Sequence, residues 1–208
     1  MITIINYGSG NIKAIANIYE NLKVDYSIAS APEEVIGAKK IFLPGVGAFD
    51  ETISMLDNTG FREVLDKEVL ENNVPIIGIC VGMQILADSS EEGNCKGLGY
   101  IKGKVKKIDS NYLLHKPKIP HMGWNEAIFR AESPLTAGLN AQGEPFYFVH
   151  SYRVVQTDPA LVWCETDYAG RFVSGVRRGR VLATQFHPEK SQVKGLQLYR
   201  NFLTLADR

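Results

Sequence analysis

The sequence predicts an α/β domain with a mixed, largely parallel central sheet flanked by helices and extra antiparallel strands in its second half. Three observations carry this expectation. Short apolar runs alternate with helix-spaced segments through the first ninety or so residues, the pattern of parallel strands joined by crossover helices. After about residue 98, strand-like runs follow one another with no helix between them. No linker, repeat or low-complexity tract divides the chain, so residues 1–208 read as a single domain, long enough to bury a core without staples.

The elements follow in order. Residues 2–6 form a short buried strand, and after the turn "GSGN" Ile12, Ile15, Ala16, Tyr19 and Leu22 share one helical face. Residues 24–29 and 40–43 are the next strands, the second stopped by Pro44-Gly45. Helical spacing covers 48–58 and 61–72, and a strand over 74–80 ends at a cysteine. Further strands are expected at 100–108, 126–130, 146–150, 161–165, 172–177 and 181–186. Val193, Leu196, Tyr199, Phe202, Leu203 and Ala206 lie at helical spacing and form a terminal helix.

Bulk properties exclude several classes. The 23 basic and 23 acidic residues cancel, and no segment is strongly basic, so nothing points to nucleic acid. The longest apolar stretch, residues 74–87, is interrupted by glycine and glutamine and is too short to span a bilayer. The first residues lack the basic flank and apolar core of a signal peptide. Cys80, Cys95 and Cys164 are odd in number and far apart, which argues against a disulfide framework and for a reducing compartment. A soluble cytoplasmic protein is expected.

Two motifs carry chemistry. In "GICVGMQ", Gly78 to Gln84, a strand meets a helix at G-x-C-x-G, the pattern of a nucleophile elbow. The glycines let the backbone turn sharply, and the helix start favours thiolate over thiol. The competing reading of Cys80 is a core cysteine, the fate assigned to Cys164 in its apolar strand. A thiol nucleophile needs a base. His187 stands just past a strand in "QFHPEKS", and Glu189, across a stiffening proline, is placed to take its second N–H.

Other segments support a site or a surface. "PGVGAF", Pro44 to Phe49, follows a strand and offers backbone N–H groups that could hold an oxyanion, or is an ordinary glycine-rich turn. "NYGSGN", Asn6 to Asn11, lacks the third glycine of a dinucleotide fingerprint, because Lys13 stands there. No His/Cys cluster has metal-ligand spacing, and no cofactor is implied. "KIPHMGWN", residues 118–125, reads as a Pro/Gly-punctuated loop whose His121, Met122 and Trp124 suggest a partner surface or a pocket wall.

Together these motifs resemble the class I, triad-type glutamine amidotransferases, which place a cysteine in G-x-C-x-G-x-Q and a base and acid in a later H-P-E. The resemblance is closest to glutaminase subunits that serve a histidine-pathway cyclase. "NYGSGN", "LPGVGAF", "GICVGMQ", "SEEG", "GLG", "PHMGWN", "FVHSY" and "QFHPEKS" occur in the same order and span Asn6 to Ser191. Val81 stands where leucine usually follows the cysteine, and Ser151 where a threonine often precedes the tyrosine; neither removes a catalytic group.

The resemblance implies roles. Cys80 would attack the side-chain amide of L-glutamine, with His187 as proton carrier and Glu189 as its orienter. Backbone N–H groups of Val46 or Gly47, and of Val81, would hold the oxyanion. Gln84 and Glu92 would bind the amino-acid end, and the backbone around Ser151 and Tyr152 its carboxylate. The chain offers no second active site, so ammonia would pass to a (β/α)₈-barrel cyclase subunit making imidazole glycerol phosphate and AICAR. Water would convert free ammonia mostly to ammonium, so a sealed interface has a purpose. Asn11, His121, Met122, Trp124 and Lys190 are the expected contacts of that heterodimer. Alternatives are a paralogue feeding a sugar amidotransferase of surface-polysaccharide synthesis, a non-catalytic regulatory subunit, or a stand-alone cysteine hydrolase.

Overall fold

The structure, a computed structural model, describes residues 1–112, 119–130 and 133–205. Lys118 of the "KIPHMGWN" stretch and Ala206 of the terminal helix lie outside the described residues. The first half runs β1 (Ile2–Ile5), α1 (Ile12–Asn21), β2 (Tyr26–Ala29), β3 (Lys40–Gly45), α2 (Phe49–Asn58), α3 (Phe61–Leu65), β4 (Ile76–Cys80) and α4 (Val81–Ile85). Every residue of β1, β3 and β4 is buried, as parallel strands covered on both faces must be.

The second half contains β5 (Ser89–Ser90), β6 (Lys104–Lys107), β7 (His121–Phe129), β8 (Glu144–His150), β9 (Tyr152–Val155), β10 (Val162–Asp167), β11 (Arg171–Arg178), β12 (Val181–Thr184) and α5 (Gln192–Leu203). Among the described residues the main sheet has nine strands in the order β2-β1-β3-β4-β12-β11-β10-β7-β8. From β2 to β12 neighbours are parallel, and from β12 to β8 they are antiparallel. The mixed sheet and its antiparallel second half therefore match expectation.

Three expectations need correction. The "PHMGWN" segment is not a loop. From His121 onward it is β7, paired with β8 from His121↔His150 to Ala127↔Glu144. Its inward positions include a histidine, which broke the apolar alternation that marks a strand. The strand expected over 100–108 shortens to β6, which joins β5 and β9 in a separate three-stranded sheet. The helix expected over 61–72 changes to a π-helical turn at Asp66–Glu71, where Asn72 N donates to Lys67 O. The wider turn carries Glu68 inward, where it accepts from Asn72 Nδ2 at 2.9 Å.

The core lies on both faces of the sheet. On one side Tyr19, Phe42, Tyr199 and Phe202 form an aromatic cluster with ring centroids 5.1–5.7 Å apart, pinning α5 to α1 and β3. A second cluster, with Phe129, Phe146, Phe148, Trp163 and Phe186, underlies the antiparallel strands. Each such ring contributes about 1.5–3 kcal/mol by leaving water. A cleft opens at the carboxyl ends of β3, β4 and β12.

Candidate active site

The cleft is built around Cys80, where β4 turns into α4. Cys80 itself adopts φ 56°, ψ −110°, a backbone conformation that costs an ordinary residue and persists only where its surroundings enforce it. Gly78 and Gly82 do not supply the turn, contrary to the expectation that they bend the backbone. They permit close approach: a Cβ on Gly82 would lie 2.0 Å from Leu43 O, and one on Gly78 2.6 Å from Gly82 O. Both obstacles are backbone and cannot rotate away. Gly82→Ala is therefore expected to destabilise the fold by about 1–3 kcal/mol or more, and to lower the thermal melting midpoint while abolishing reaction of Cys80 with thiol reagents shaped like the substrate.

Parallel pairing brings the base to the nucleophile. Thr184 of β12 lies opposite Ile79 of β4, and Gly45 of β3 lies opposite Cys80, so three strand ends converge. Just past β12, the His187-Pro-Glu turn is tied down by His187 N donating to Tyr147 O at 2.8 Å and by Ser191 Oγ donating to His187 O at 2.6 Å. Helix α5 leaves directly from this turn and packs so closely that a Cβ on Gly195 would lie 1.7 Å from Pro188 O.

His187 Nδ1 sits 2.7 Å from Glu189 Oε1, with both side chains at most 2% exposed. The carboxylate also accepts from Tyr199 Oη at 3.3 Å and Asn11 Nδ2 at 3.5 Å. An acceptor on Nδ1 directs Nε2 to the chemistry. Nε2 is buried and has no hydrogen-bond partner among the described residues. The Cys80 thiol lies instead 3.7 Å from Val149 O, to which it donates, and 3.8 Å from Gln185 Nε2. Burial by itself would push the His187 imidazolium down, but Cys80 and Glu189 outweigh it and hold the pKa up at about 10. Once it has taken the thiol proton, the imidazolium is thus held ready to pass that proton on.

A cavity of about 270 Å³ opens over these groups, suited to one amino acid. Val46, Gly47, Val81, Gln84, Glu92, Ser151 and Tyr152 all line it with Cys80 and His187. Gln84 Nε2 donates to Tyr152 O at 3.0 Å and Gln185 Oε1 at 3.2 Å. Glu92 Oε2 accepts from Phe49 N at 3.0 Å, closing the start of α2. Val81 opens α4, so its N–H falls in the first turn, which has no acceptor within its own helix.

Val46 does not present its N–H as an oxyanion donor in this conformation. The N–H donates to Ser9 Oγ at 3.1 Å, while Ser9 Oγ donates to Val46 O at 2.7 Å. Tyr7 Oη donates to Pro44 O nearby. The "NYGSGN" loop is therefore a clamp on "PGVG". Gly47, at φ +98°, remains exposed beside the cleft.

The expected partner contacts divide. Met122 and Trp124 are 60% and 50% exposed on the outward face of β7, and Lys190 is exposed with its Nζ 5.6 Å from the Tyr147 ring centre. His121 is only 3% exposed and faces inward, contrary to its expected place on a contact surface. Asn11 turns its amide toward Glu189. Cys164 is buried as expected, and burial pushes its thiol up to about 12. Ser9, His150, Gln185 and Tyr199 were not singled out from the sequence. Of these, Ser9, His150 and Gln185 stand within quoted motifs, where position in "NYGSGN", in "FVHSY" and two residues before His187 was the available signal.

The chain is similar to known proteins. Residues 3–206 match the family model for glutamine amidotransferase class-I. A protein of Leptospira borgpetersenii named imidazole glycerol phosphate synthase subunit HisH is 43% identical over 99% of this chain and all of its own length. A protein of the same name from Leptospira interrogans is 44% identical over 99% of this chain and all of its own. Among solved structures, that of PurLQS from Thermotoga maritima superposes with a TM-score of 0.76 at 18% identity, covering 97% of this chain and 96% of that one. At that identity the likeness concerns the fold alone.

Proposed function

Because the chain belongs to the class-I glutamine amidotransferase family, we propose that it is the glutaminase subunit of an imidazole glycerol phosphate synthase. The observation that carries this reading is that Cys80 and His187, the latter backed by Glu189, line one cavity with Gln84, Glu92, Ser151 and Tyr152. Cys80 Sγ passes its proton to His187 and bonds to the side-chain carbonyl carbon of glutamine, and the C–N bond then breaks as His187 hands that proton to the departing ammonia. Water then attacks the thioester, the C–S bond breaks, and glutamate departs as the thiol regains its proton. The Val81 N–H suits the developing oxyanion, and the Val46 N–H joins it once released from Ser9. Glu92 and the Gln84 side-chain oxygen suit the substrate ammonium.

The ammonia acceptor is a cyclase subunit, a (β/α)₈ barrel on this reading, docked over Met122, Trp124 and Lys190. Residues 1–208 act as one domain, a reading supported by β12 lying between β4 and β11 in one sheet. No helix among the described residues is long and apolar enough to cross a membrane. The three free cysteines fit a cytoplasmic, reducing setting.

The Ser9 clamp sets the test. With the Val46 N–H turned to Ser9 and Cys80 turned to Val149 O, the isolated chain is expected to be a poor glutaminase. One missing oxyanion donor costs about two to three orders of magnitude in rate. Glutaminase rates are measured for the chain alone, with the cyclase, and with cyclase plus its nucleotide substrate. Rates should climb through the three conditions, and equal rates would end the reading of a partner-assembled site. In the isolated chain Ser9→Ala removes a hydrogen bond worth about 1 kcal/mol, and should raise the basal rate roughly fivefold.

A further inference from the structure

A buried pair of histidines joins β7 to the glutamine cavity. His121 Nδ1 lies 2.9 Å from His150 Nε2, and both residues are at most 6% exposed. At one end His150 Nδ1 lies 2.8 Å from Tyr152 O. At the other, Asn125 Nδ2 lies 3.1 Å from His121 Nε2 and 3.0 Å from Asp167 O. Neither histidine is needed by the triad chemistry.

The direction of every bond in this line is determined. A carbonyl oxygen only accepts, so His150 Nδ1 carries a hydrogen, and the neutral ring then accepts at Nε2. His121 must donate from Nδ1 and accept at Nε2. Asn125 supplies that hydrogen with one amide N–H and gives its other to Asp167 O. Both rings are neutral, since burial pushes His121 down to about 4 and His150, with the neighbouring His121 adding to burial, down to about 3. The line ends on a carbonyl that also receives Gln84 Nε2. The second Gln84 amide hydrogen goes to Gln185 Oε1. With both hydrogens committed, Gln84 has only its oxygen to offer the cavity.

We propose that Asn125, His121 and His150 form a one-way hydrogen-bond relay that positions the Tyr152 carbonyl and so fixes Gln84 with its oxygen toward the substrate ammonium. His121 and His150 are positioning residues for glutamine binding, and they link the strand that carries Met122 and Trp124 to the substrate. This rests on the glutaminase reading above.

His121→Phe keeps the aromatic stacking that His121 makes with Tyr168 at 3.9 Å and Phe148 at 4.7 Å, but donates nothing to His150. His121→Asn loses the stacking and keeps an N–H where Nδ1 was. Glutamine hydrolysis by the complex with the cyclase is measured for both. The relay predicts a KM for glutamine raised roughly tenfold in His121→Phe with kcat within about twofold, because Gln84 holds the unreactive end of the substrate. It predicts His121→Asn within about threefold of the unsubstituted complex. A purely structural histidine gives the reverse order, and that order, or an unchanged KM in His121→Phe, overturns the relay while leaving the glutaminase reading intact. No hydrolysis by the unsubstituted complex overturns that reading and the relay with it. Imidazole nitrogen chemical shifts of the unsubstituted full chain need no variant to fold. They should show both rings neutral and protonated at Nδ1, and an Nε2–H form of either ring overturns the relay.

Discussion

Cys80→Ser abolishes glutamine-dependent synthesis by the assembled complex, by about four orders of magnitude or more, and leaves ammonia-dependent synthesis by the cyclase nearly untouched. The expectation follows from where the three thiols sit. Cys80 alone occupies the strained turn and faces the cavity. Cys164 is enclosed between strands, with its thiol pushed up by burial to about 12. Cys95 is half-buried beside Asp50, whose carboxylate accepts from its N–H at 3.0 Å and adds to burial in raising its thiol. Steady-state rates with each nitrogen donor decide the matter, provided the complex still forms. Loss of both activities would contradict the division of labour. An electrophilic glutamine analogue should label Cys80 and spare the other two, and peptide mapping that found it elsewhere would remove Cys80 from the mechanism. Deleting the thiol in Cys80→Ala should also lower the His187 pKa from about 10, since Cys80 helps raise it.

Glu189→Gln is the second large effect, with kcat for glutamine reduced by roughly two to four orders of magnitude. The amide keeps the volume and can still meet His187 Nδ1, but the charge that stabilises the imidazolium is gone. Its signature extends to folding. His187 rises from an ordinary 6.5 to about 10 in the folded chain, so between those values the fold binds a proton that the unfolded chain has released. That contribution is fully present below about 6.5 and is lost as pH rises through about 10. The unsubstituted chain should therefore lose more stability than Glu189→Gln as pH climbs through this window. Thermal melts of both at several pH values measure the difference, and parallel curves would show that Glu189 does not hold the proton on His187.

What the sequence disclosed tracks how local each signal is. The parallel half was legible because β1, β3 and β4 are unbroken apolar runs separated by helical spacing. Cys80, His187 and Glu189 were legible because elbow and turn are each a few residues long. The strand β7 was hidden by a polar inward residue, and the π turn at Asp66–Glu71 by a spacing that an α-helix shares. Ser9 on Val46, Tyr199 on Glu189 and His150 on Tyr152 were out of reach for a different reason. Each is an ordinary polar residue whose meaning comes from a neighbour that the fold supplies, in two of the three cases a backbone atom. The position of β12 beside β4 has the same origin, since no residue in either strand encodes the other.

The placement of β12 also governs how the chain acquires its shape. While β1 to β4 have emerged from the ribosome and β12 has not, β4 is an edge strand, with Ile76, Ile77 and Ile79 beside unpaired backbone groups. Such an edge invites pairing with other chains. Its native cover arrives about a hundred residues later, a long-range closure of the kind that slows folding and exposes intermediates. The same delay has a protective side. Until β12 docks, His187 is absent from the neighbourhood of Cys80, so the newborn chain carries an unassisted thiol, and reactivity switches on in the step that removes the sticky edge.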